Sequence, residues 1–221
     1  MIAMADRSLD IAILANGALP QHQVPLARLR SADVLVCCDG ACAKARSIGR
    51  EPDYVVGDGD SISAEDKLSL GERFVAVTEQ DTNDLAKAFR FARTLAPGQI
   101  VILGATGLRE DHSLGNIFRL FDFAAEFPQV SMLTDAGTFE VVAENRTFDS
   151  CPGEAVSIFA IDSATRVRST GLVWPLDDVR FANLHCATLN RTSGTSFSLA
   201  PTHPVLLFRT YPAQQNPQNN I

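Results

Sequence analysis

In the stretch Pro52–Ser61 (PDYVVGDGDS) two carboxylates, Asp58 and Asp60, stand one residue apart on a glycine-bearing bend. Tyr54, Val55 and Val56 are β-formers, and Gly57 and Gly59 then interrupt the run. In an extended or bulged segment residues i and i+2 point to the same side, so both acids can face one ligand. Hard cations such as Mg²⁺ take oxygen ligands, with waters and substrate phosphates completing the shell. The alternative is a solvated acidic turn, since Asp and Gly are common in turns.

Two further clusters carry chemistry. The first is Gln80-Asp81-Thr82-Asn83-Asp84 with Lys87, where Asp84 and Lys87 share a helix face at i, i+3. An amide, a carboxylate and an ammonium together can arrange a metal, a phosphate and a water; the alternative is an N-capping segment with a surface ion pair. The second is Gly104-Ala105-Thr106-Gly107-Leu108-Arg109-Glu110-Asp111-His112. A Gly-bearing loop running into a helix start offers N–H groups to phosphate oxygens. The Arg109 fork can bridge phosphates, and Asp111 can hold a metal or orient that Arg. His112 is open to a base or sugar contact, or to a capping or packing role.

Asp58, Asp60, Asp84 and Asp111 crowded at one site would repel each other and any polyphosphate. Divalent cations bridging carboxylates to phosphates remove that conflict, which points to metal-assisted transfer from a nucleotide. The sequence has no GxxxxGK[ST] loop, no GxGxxG fingerprint and no GxSxG elbow.

The elements that must position these groups alternate through the first two-thirds of the chain. Strand-like runs are Asp10–Ala15, Asp33–Cys38, Tyr54–Val56, Arg73–Thr78, Gln99–Leu103, Val130–Leu133 and Phe139–Val142. A short helix over Ala41–Ile48 ends at Gly49, and another starts near Ser63 with Asp66 as its capping partner. Leu85, Ala88, Phe89, Ala92 and Leu95 predict a helix capped by Thr82 or Asn83 and ended by Pro97-Gly98. Leu114, Ile117, Leu120, Phe121 and Ala124 predict one more amphipathic helix. Such alternation implies a doubly wound, mostly parallel sheet. Most strands finish in small, polar or acidic residues, namely Asn16-Gly17, Asp39-Gly40, Gly57-Asp58, Gln80-Asp81 and Gly104. In such a sheet those ends share the ligand-binding edge.

From about Thr138 the texture changes to short strands over Glu154–Ile161, Thr165–Ser169, Ala182–Leu189, Ser196–Leu199 and Val205–Thr210, without a helix. The expected organisation is an α/β domain over 1–137, an all-β sandwich over 138–212 and a disordered tail over 213–221.

With 221 residues, 46% hydrophobic content, mean hydropathy of +0.04 and pI near 5.0, the chain reads as globular. Its net charge of −7 and lack of Lys/Arg runs argue against a nucleic-acid partner. No signal sequence or apolar spanning run is evident, so no membrane is expected and a cytoplasmic location is the default. Five cysteines, an odd count, suggest reduced thiols; Cys38 and Cys42 lack partners for a zinc site and are expected to be buried near a strand end.

The chain resembles the thiamine pyrophosphokinase (thiamine diphosphokinase) family. The matching segments are Asp39-Gly40-Ala41, Pro52-Asp53 with Gly57–Ser61, QDTND with Lys87, the loop bearing Arg109, Asp111 and His112, Asn116, and Gly171-Leu172-Val173-Trp174-Pro175-Leu176. The resemblance implies a homodimer with active sites at the subunit interface. It implies Mg²⁺-dependent transfer of the β,γ-pyrophosphoryl group of ATP to the hydroxyl of thiamine, giving thiamine diphosphate and AMP. By the same resemblance Asp58, Asp60 and Asp84 hold Mg²⁺ and polyphosphate, with Gln80 and Lys87 completing the catalytic set. Asp111 acts with Arg109 at the nucleotide side. Asn16, Gly17, Asp39, Gly40, Gly104, Thr106, His112 and Asn116 line the nucleotide cleft, and Trp174, Thr188 and Asn190 belong to the thiamine pocket.

Two departures stand out. The late strand reads Thr188-Leu189-Asn190 where the family usually has Ser-Asn, and Gly59 replaces a bulky apolar residue. The acceptor could therefore be another hydroxymethyl compound such as a pterin, and a third reading is a non-catalytic nucleotide- or thiamine-binding module. Trp174, the only tryptophan, is either a platform for a planar cationic ring or a core residue.

Overall fold

The structure is a computed structural model and describes residues 8–212. The expected tail over 213–221 lies outside the described residues. The chain divides between Asp135 and Ala136 into two compact units.

The first unit begins with β1 (Leu9–Leu14) and α1 (Gln23–Ser31). There follow β2 (Val34–Cys38), a 3₁₀ turn at Asp39–Ala41 leading into α2 (Cys42–Ser47), and β3 (Tyr54–Gly57). Next come α3 (Ala64–Leu70), β4 (Phe74–Ala76), α4 (Asp84–Thr94) and β5 (Pro97–Leu103). The unit closes with α5 (Glu110–Phe118), α6 (Leu120–Glu126) and β6 (Val130–Leu133).

The six strands lie in the order β6-β5-β1-β2-β3-β4, every neighbouring pair parallel. The order grows outward from β1 in both directions, so the sheet is doubly wound as expected, with its switch point between β1 and β5. The strands are near-continuous apolar runs because helices cover both faces: Ile11–Leu14 and Ile100–Leu103 are buried throughout. Helix α4 turns Leu85, Ala88, Phe89 and Ala92 inward, and the Phe89 ring stacks on Phe123 of α6 at 4.0 Å between centroids. Each such fully buried large side chain contributes about 1.5–3 kcal/mol.

Local signals act where the sequence places them. Ser63 Oγ accepts the Asp66 N–H at the start of α3, and Gly49, at φ +75°, closes α2. Asn83, not Thr82, caps α4 by accepting the Ala86 N–H at 3.1 Å. The helix expected over Leu114–Ala124 is two helices, with α5 ending and α6 beginning at Arg119. Leu114 is 58% exposed on α5, while Leu120 and Phe123 of α6 face the core.

The second unit is all β, as expected. It contains β7 (Gly137–Val142), β8 (Arg146–Asp149), β9 (Ala155–Phe159), β10 (Arg166–Thr170) and β11 (Val179–Arg180). It ends with β12 (Ala187–Arg191), β13 (Ser196–Pro201) and β14 (Val205–Thr210). Two antiparallel sheets, β12-β9-β14-β7 and β11-β10-β13-β8, enclose a core of Val156, Ile158, Leu207, Phe148, Phe197 and Leu199. The strand expected over Ala182–Leu189 forms later, at Ala187–Arg191, with a register shift before Asn190.

Candidate active site

Because the first sheet is parallel, the residues after β1, β2, β3, β4 and β5 gather at one edge: Asn16, Asp39, Asp58, Gln80 and Gly104. At the switch point the β1 and β5 loops stay paired beyond the strands. The Gly17 N–H donates to the Gly104 carbonyl at 2.6 Å and the Ala18 N–H to the Thr106 carbonyl at 2.8 Å. A Cβ on Gly17 would lie 2.4 Å from the Gly104 oxygen, so this approach requires glycine. Beside the paired loops opens a cleft of about 300 Å³, lined by Asn16, Gly17, Asp84, Thr106, Arg109, His112 and Asn116 among others.

A hydrogen-bond chain spans this cleft. Asn83 Nδ2 donates to Asn116 Oδ1 at 3.1 Å, and Asn116 Nδ2 donates to the Ala105 carbonyl at 2.8 Å. The α4 start, α5 and the β5 loop are thereby held in fixed relation. Asn116 is thus a brace of the cleft wall as well as part of its lining.

Lys87 is 3% exposed, and its ammonium reaches Asp84 Oδ1 at 3.2 Å and Asp58 Oδ2 at 4.0 Å. Gln80 Nε2 donates to the same Asp58 oxygen at 3.3 Å. The Asp60 N–H first, then the Gln80 amide, hold the Asp58 carboxyl below the usual carboxylate range; desolvation opposes them, and Lys87 adds a lesser lowering effect. Asp58, Gln80, Asp84 and Lys87 are therefore one connected group.

The Asp58–Asp60 bend, expected to be extended or bulged, is not extended. Gly59 takes φ +86° and Asp58 Oδ1 accepts the Asp60 N–H at 3.1 Å. Asp58 turns toward Lys87, whereas Asp60 stays exposed.

Behind the bend lies Asp39, only 1% exposed. Its Oδ2 accepts the Ser61 N–H at 3.1 Å, and its buried Oδ1 has no hydrogen-bond partner. Burial raises its pKa above the ordinary carboxylate value, with Asp84 and Asp58 adding to the effect. Gly57 makes room for it: a Cβ there would lie 2.7 Å from Asp39 Cβ. Gly40 does the same for Asn16, whose Nδ2 would lie 2.1 Å from a Cβ.

Arg109 and Asp111 form a bidentate pair, Nε to Oδ1 at 3.1 Å and Nη2 to Oδ2 at 2.6 Å, exposed at the cleft mouth. The Arg109 guanidinium, then the His112 N–H, hold the Asp111 carboxyl down at about 2. His112 is exposed and lines the cleft, which excludes a packing role.

Among the described residues no group of three His, Cys, Asp or Glu side chains is gathered as a metal site. Asp58, Asp60 and Asp84 do not form a closed cage. The donor set still suits Mg²⁺, which is commonly held by one or two carboxylates plus substrate phosphates. Asp58 and Asp84 flank one ammonium, and the unpartnered Asp39 Oδ1 is a further hard oxygen without a proton donor.

In the second unit Asn190 is buried and clasps Trp174. Its Oδ1 accepts the Trp174 N–H at 3.2 Å and the Arg191 N–H at 2.8 Å, and its Nδ2 donates to the Trp174 carbonyl at 2.7 Å. Trp174 is 58% exposed, so it is not a core residue. Thr188 Oγ1 donates to the His185 carbonyl. Leu189, at the departure from the family pattern, is 82% exposed with φ +59°. Cys38 and Cys42 are buried at the end of β2 as expected, and all five cysteines are free.

One residue that sequence reasoning passed over also belongs here. Lys44 of α2 donates to the loop after β1, at Asn16 and Gly17. Its acceptors are mostly main-chain carbonyls, which leave no pattern in a sequence.

Two family models match the chain: the Thiamin pyrophosphokinase catalytic domain over residues 27–132, and the Thiamin pyrophosphokinase substrate-binding domain over residues 137–208. Thiamine pyrophosphokinase 1 of Oryza sativa subsp. japonica is 31% identical over 144 residues, covering 58% of this chain and 54% of that protein. The chain thus spans about half the length of that relative. The fold is similar to the thiamine pyrophosphokinase structure from Bacillus subtilis, with TM-score 0.76, 19% identity, and coverage of 92% of this chain and 99% of that one. The corresponding Candida albicans structure gives TM-score 0.75 at 16% identity, covering 92% of this chain and 90% of that one. The two family models, in order and over most of its length, show that the chain belongs to the thiamin pyrophosphokinase family.

Proposed function

We propose that this protein transfers the pyrophosphoryl group of ATP to the hydroxyl of thiamine, yielding thiamine diphosphate and AMP. The observation that carries this reading is the buried Lys87 ammonium shared by Asp58 and Asp84 beside a cleft bearing Arg109 and Asn116. The oxygen of the thiamine hydroxyl attacks the β-phosphorus and gives up its proton to solvent, the bond from that phosphorus to the α–β bridging oxygen breaks, and AMP leaves with the bond's electron pair. The transition state of such transfers is loose, so fixed charge and positioning decide the rate more than a strong base does. Lys87 keeps the two carboxylates in register and places positive charge where phosphate oxygens gather. The Arg109 fork supports the nucleotide phosphates, with Asp111 orienting it.

Asp58 and Asp84, joined by Asp60 from the solvent side, would hold Mg²⁺. When bound, the ion neutralises charge on the polyphosphate. On the acceptor side, the exposed Trp174, whose main chain is bonded by Asn190, offers a π-face to the thiazolium ring. We place the protein in the cytoplasm as a homodimer with its active site at the subunit interface. Five free thiols fit a reducing compartment, and no helix among the described residues is long and apolar enough to cross a membrane. The exposed Val173, Trp174 and Leu189 supply apolar surface for a second copy.

Release of AMP from ATP and Mg²⁺, measured with thiamine, with a hydroxymethyl pterin and without acceptor, tests the reading. Thiamine-dependent release supports it; release driven only by the pterin moves the acceptor assignment, and no release with either rules it out.

A further inference from the structure

Lys44 Nζ donates to the Asn16 carbonyl at 2.9 Å, to Asn16 Oδ1 at 2.7 Å and to the Gly17 carbonyl at 2.6 Å. An ammonium has three protons and no acceptor, so its donors are fully used and the Asn16 amide must present oxygen to it. The Asn16 amide nitrogen is thereby turned away from Lys44 and lies over Gly40, where the lack of a Cβ leaves it room. Asn16 and Gly17 both line the cleft.

The three acceptors of Lys44 are neutral. The other cations at the site are each matched by carboxylate: Lys87 by Asp84 and Asp58, Arg109 by Asp111. Among the described residues no carboxylate pairs with Lys44, which thus brings positive charge to the loop bordering the cleft, in a chain whose net charge is −7. Burial lowers its pKa from the ordinary lysine value, in line with an ammonium held partly away from water.

We propose that Lys44 is a positioning residue that locks the Asn16 amide with its N–H₂ as a donor for phosphate oxygens and adds positive charge beside them. The proposal rests on the pyrophosphoryl-transfer reading. It assigns to this loop the recognition of the polyphosphate rather than of the nucleoside.

The test is calorimetric titration of the full chain, with Mg²⁺, by α,β-methylene ATP and separately by adenosine. Loss of one charge-supported donor is worth about tenfold in affinity. Lys44→Met is expected to weaken the analogue by about that factor and to leave adenosine unchanged, while Lys44→Arg recovers most of the loss. An unchanged analogue affinity, or equal weakening of analogue and adenosine, would overturn the assignment. Should Lys44→Met fail to fold, Asn16→Asp keeps an acceptor toward Lys44 and removes the amide donor. It is expected to give the same selective loss, and analogue binding equal to wild type would overturn the proposal. Failure of the wild-type chain to bind the analogue would instead remove the nucleotide reading itself, and this inference with it.

Discussion

Lys87 Nζ stands 4.0 Å from Asp58 Oδ2 with only 2% of the lysine side chain exposed, tying the helix after β4 to the bend after β3. Replacing it by a neutral chain of similar length removes the charge but keeps most of the packing. Lys87→Met is therefore expected to lower kcat by about 10²–10³-fold. The loss of stability should be modest, because Asp84 and part of Asp58 can turn to water, and a melting shift of about 2–4 °C is expected. Steady-state kinetics beside a thermal melt checks this; a loss of activity matched by wholesale unfolding would make Lys87 a structural residue only.

Asp58 and Asp60 are expected to differ. Asp58 is held by the Asp60 N–H, Gln80 and Lys87, whereas Asp60 is exposed. Asp58→Asn should lower turnover by about 10²–10³-fold at saturating Mg²⁺. Asp60→Asn should mainly raise the Mg²⁺ concentration needed for half-maximal rate, and chelation of Mg²⁺ should stop turnover of the wild type. A Mg²⁺ titration of both variants separates the roles, and near-normal kcat for Asp58→Asn would remove Asp58 from the metal site.

Asp39 gives a prediction of opposite sign for stability. Burial raises its pKa, so the folded chain binds this proton more tightly than the unfolded chain does. The group then favours the fold below its unfolded pKa, and that contribution is lost as pH rises through the native value. Asp39→Asn should accordingly raise the melting temperature at neutral pH by about 2–4 °C, with the gain shrinking as pH falls into the carboxylate range. Its turnover should fall, since the unpartnered Oδ1 is no longer a carboxylate oxygen. Melts across pH check the sign: a variant less stable than wild type at neutral pH contradicts it.

Trp174 is the only tryptophan, so its emission reports on one place. Stacking of a cationic ring on it, worth roughly 0.5–2 kcal/mol, should quench that emission as thiamine is added. A neutral pyrimidine should leave it unchanged. Equal quenching by both, or none at saturating thiamine, would leave Trp174 without a role in recognising the charge.

How far the sequence carries depends on whether a feature is local. Helix α4 is legible because Leu85, Ala88, Phe89 and Ala92 repeat at helical spacing, and the Asp84–Lys87 contact follows from their i, i+3 positions. Helix α1 is not: it carries Pro25 and buries little besides Leu29, so no apolar stripe marks it. The break between helices at Arg119 has no glycine or proline to announce it, and the two-residue β11 is too short to show a period. At the site, the parallel order brings strand ends together as their Asp, Asn and Gly content suggests. The contacts that decide its chemistry are long-range: Lys87 to Asp58, Asn116 to Asn83, and Lys44 to main-chain oxygens of the β1 loop. No spacing encodes them.

The most direct test follows the phosphorus atoms through one turnover. In ³¹P NMR of the full chain with ATP, Mg²⁺ and thiamine, the β and γ phosphorus atoms should move together into thiamine diphosphate while the α phosphorus stays in AMP. Appearance of ADP with thiamine monophosphate, or of AMP with free pyrophosphate and unchanged thiamine, would contradict pyrophosphoryl transfer at this site.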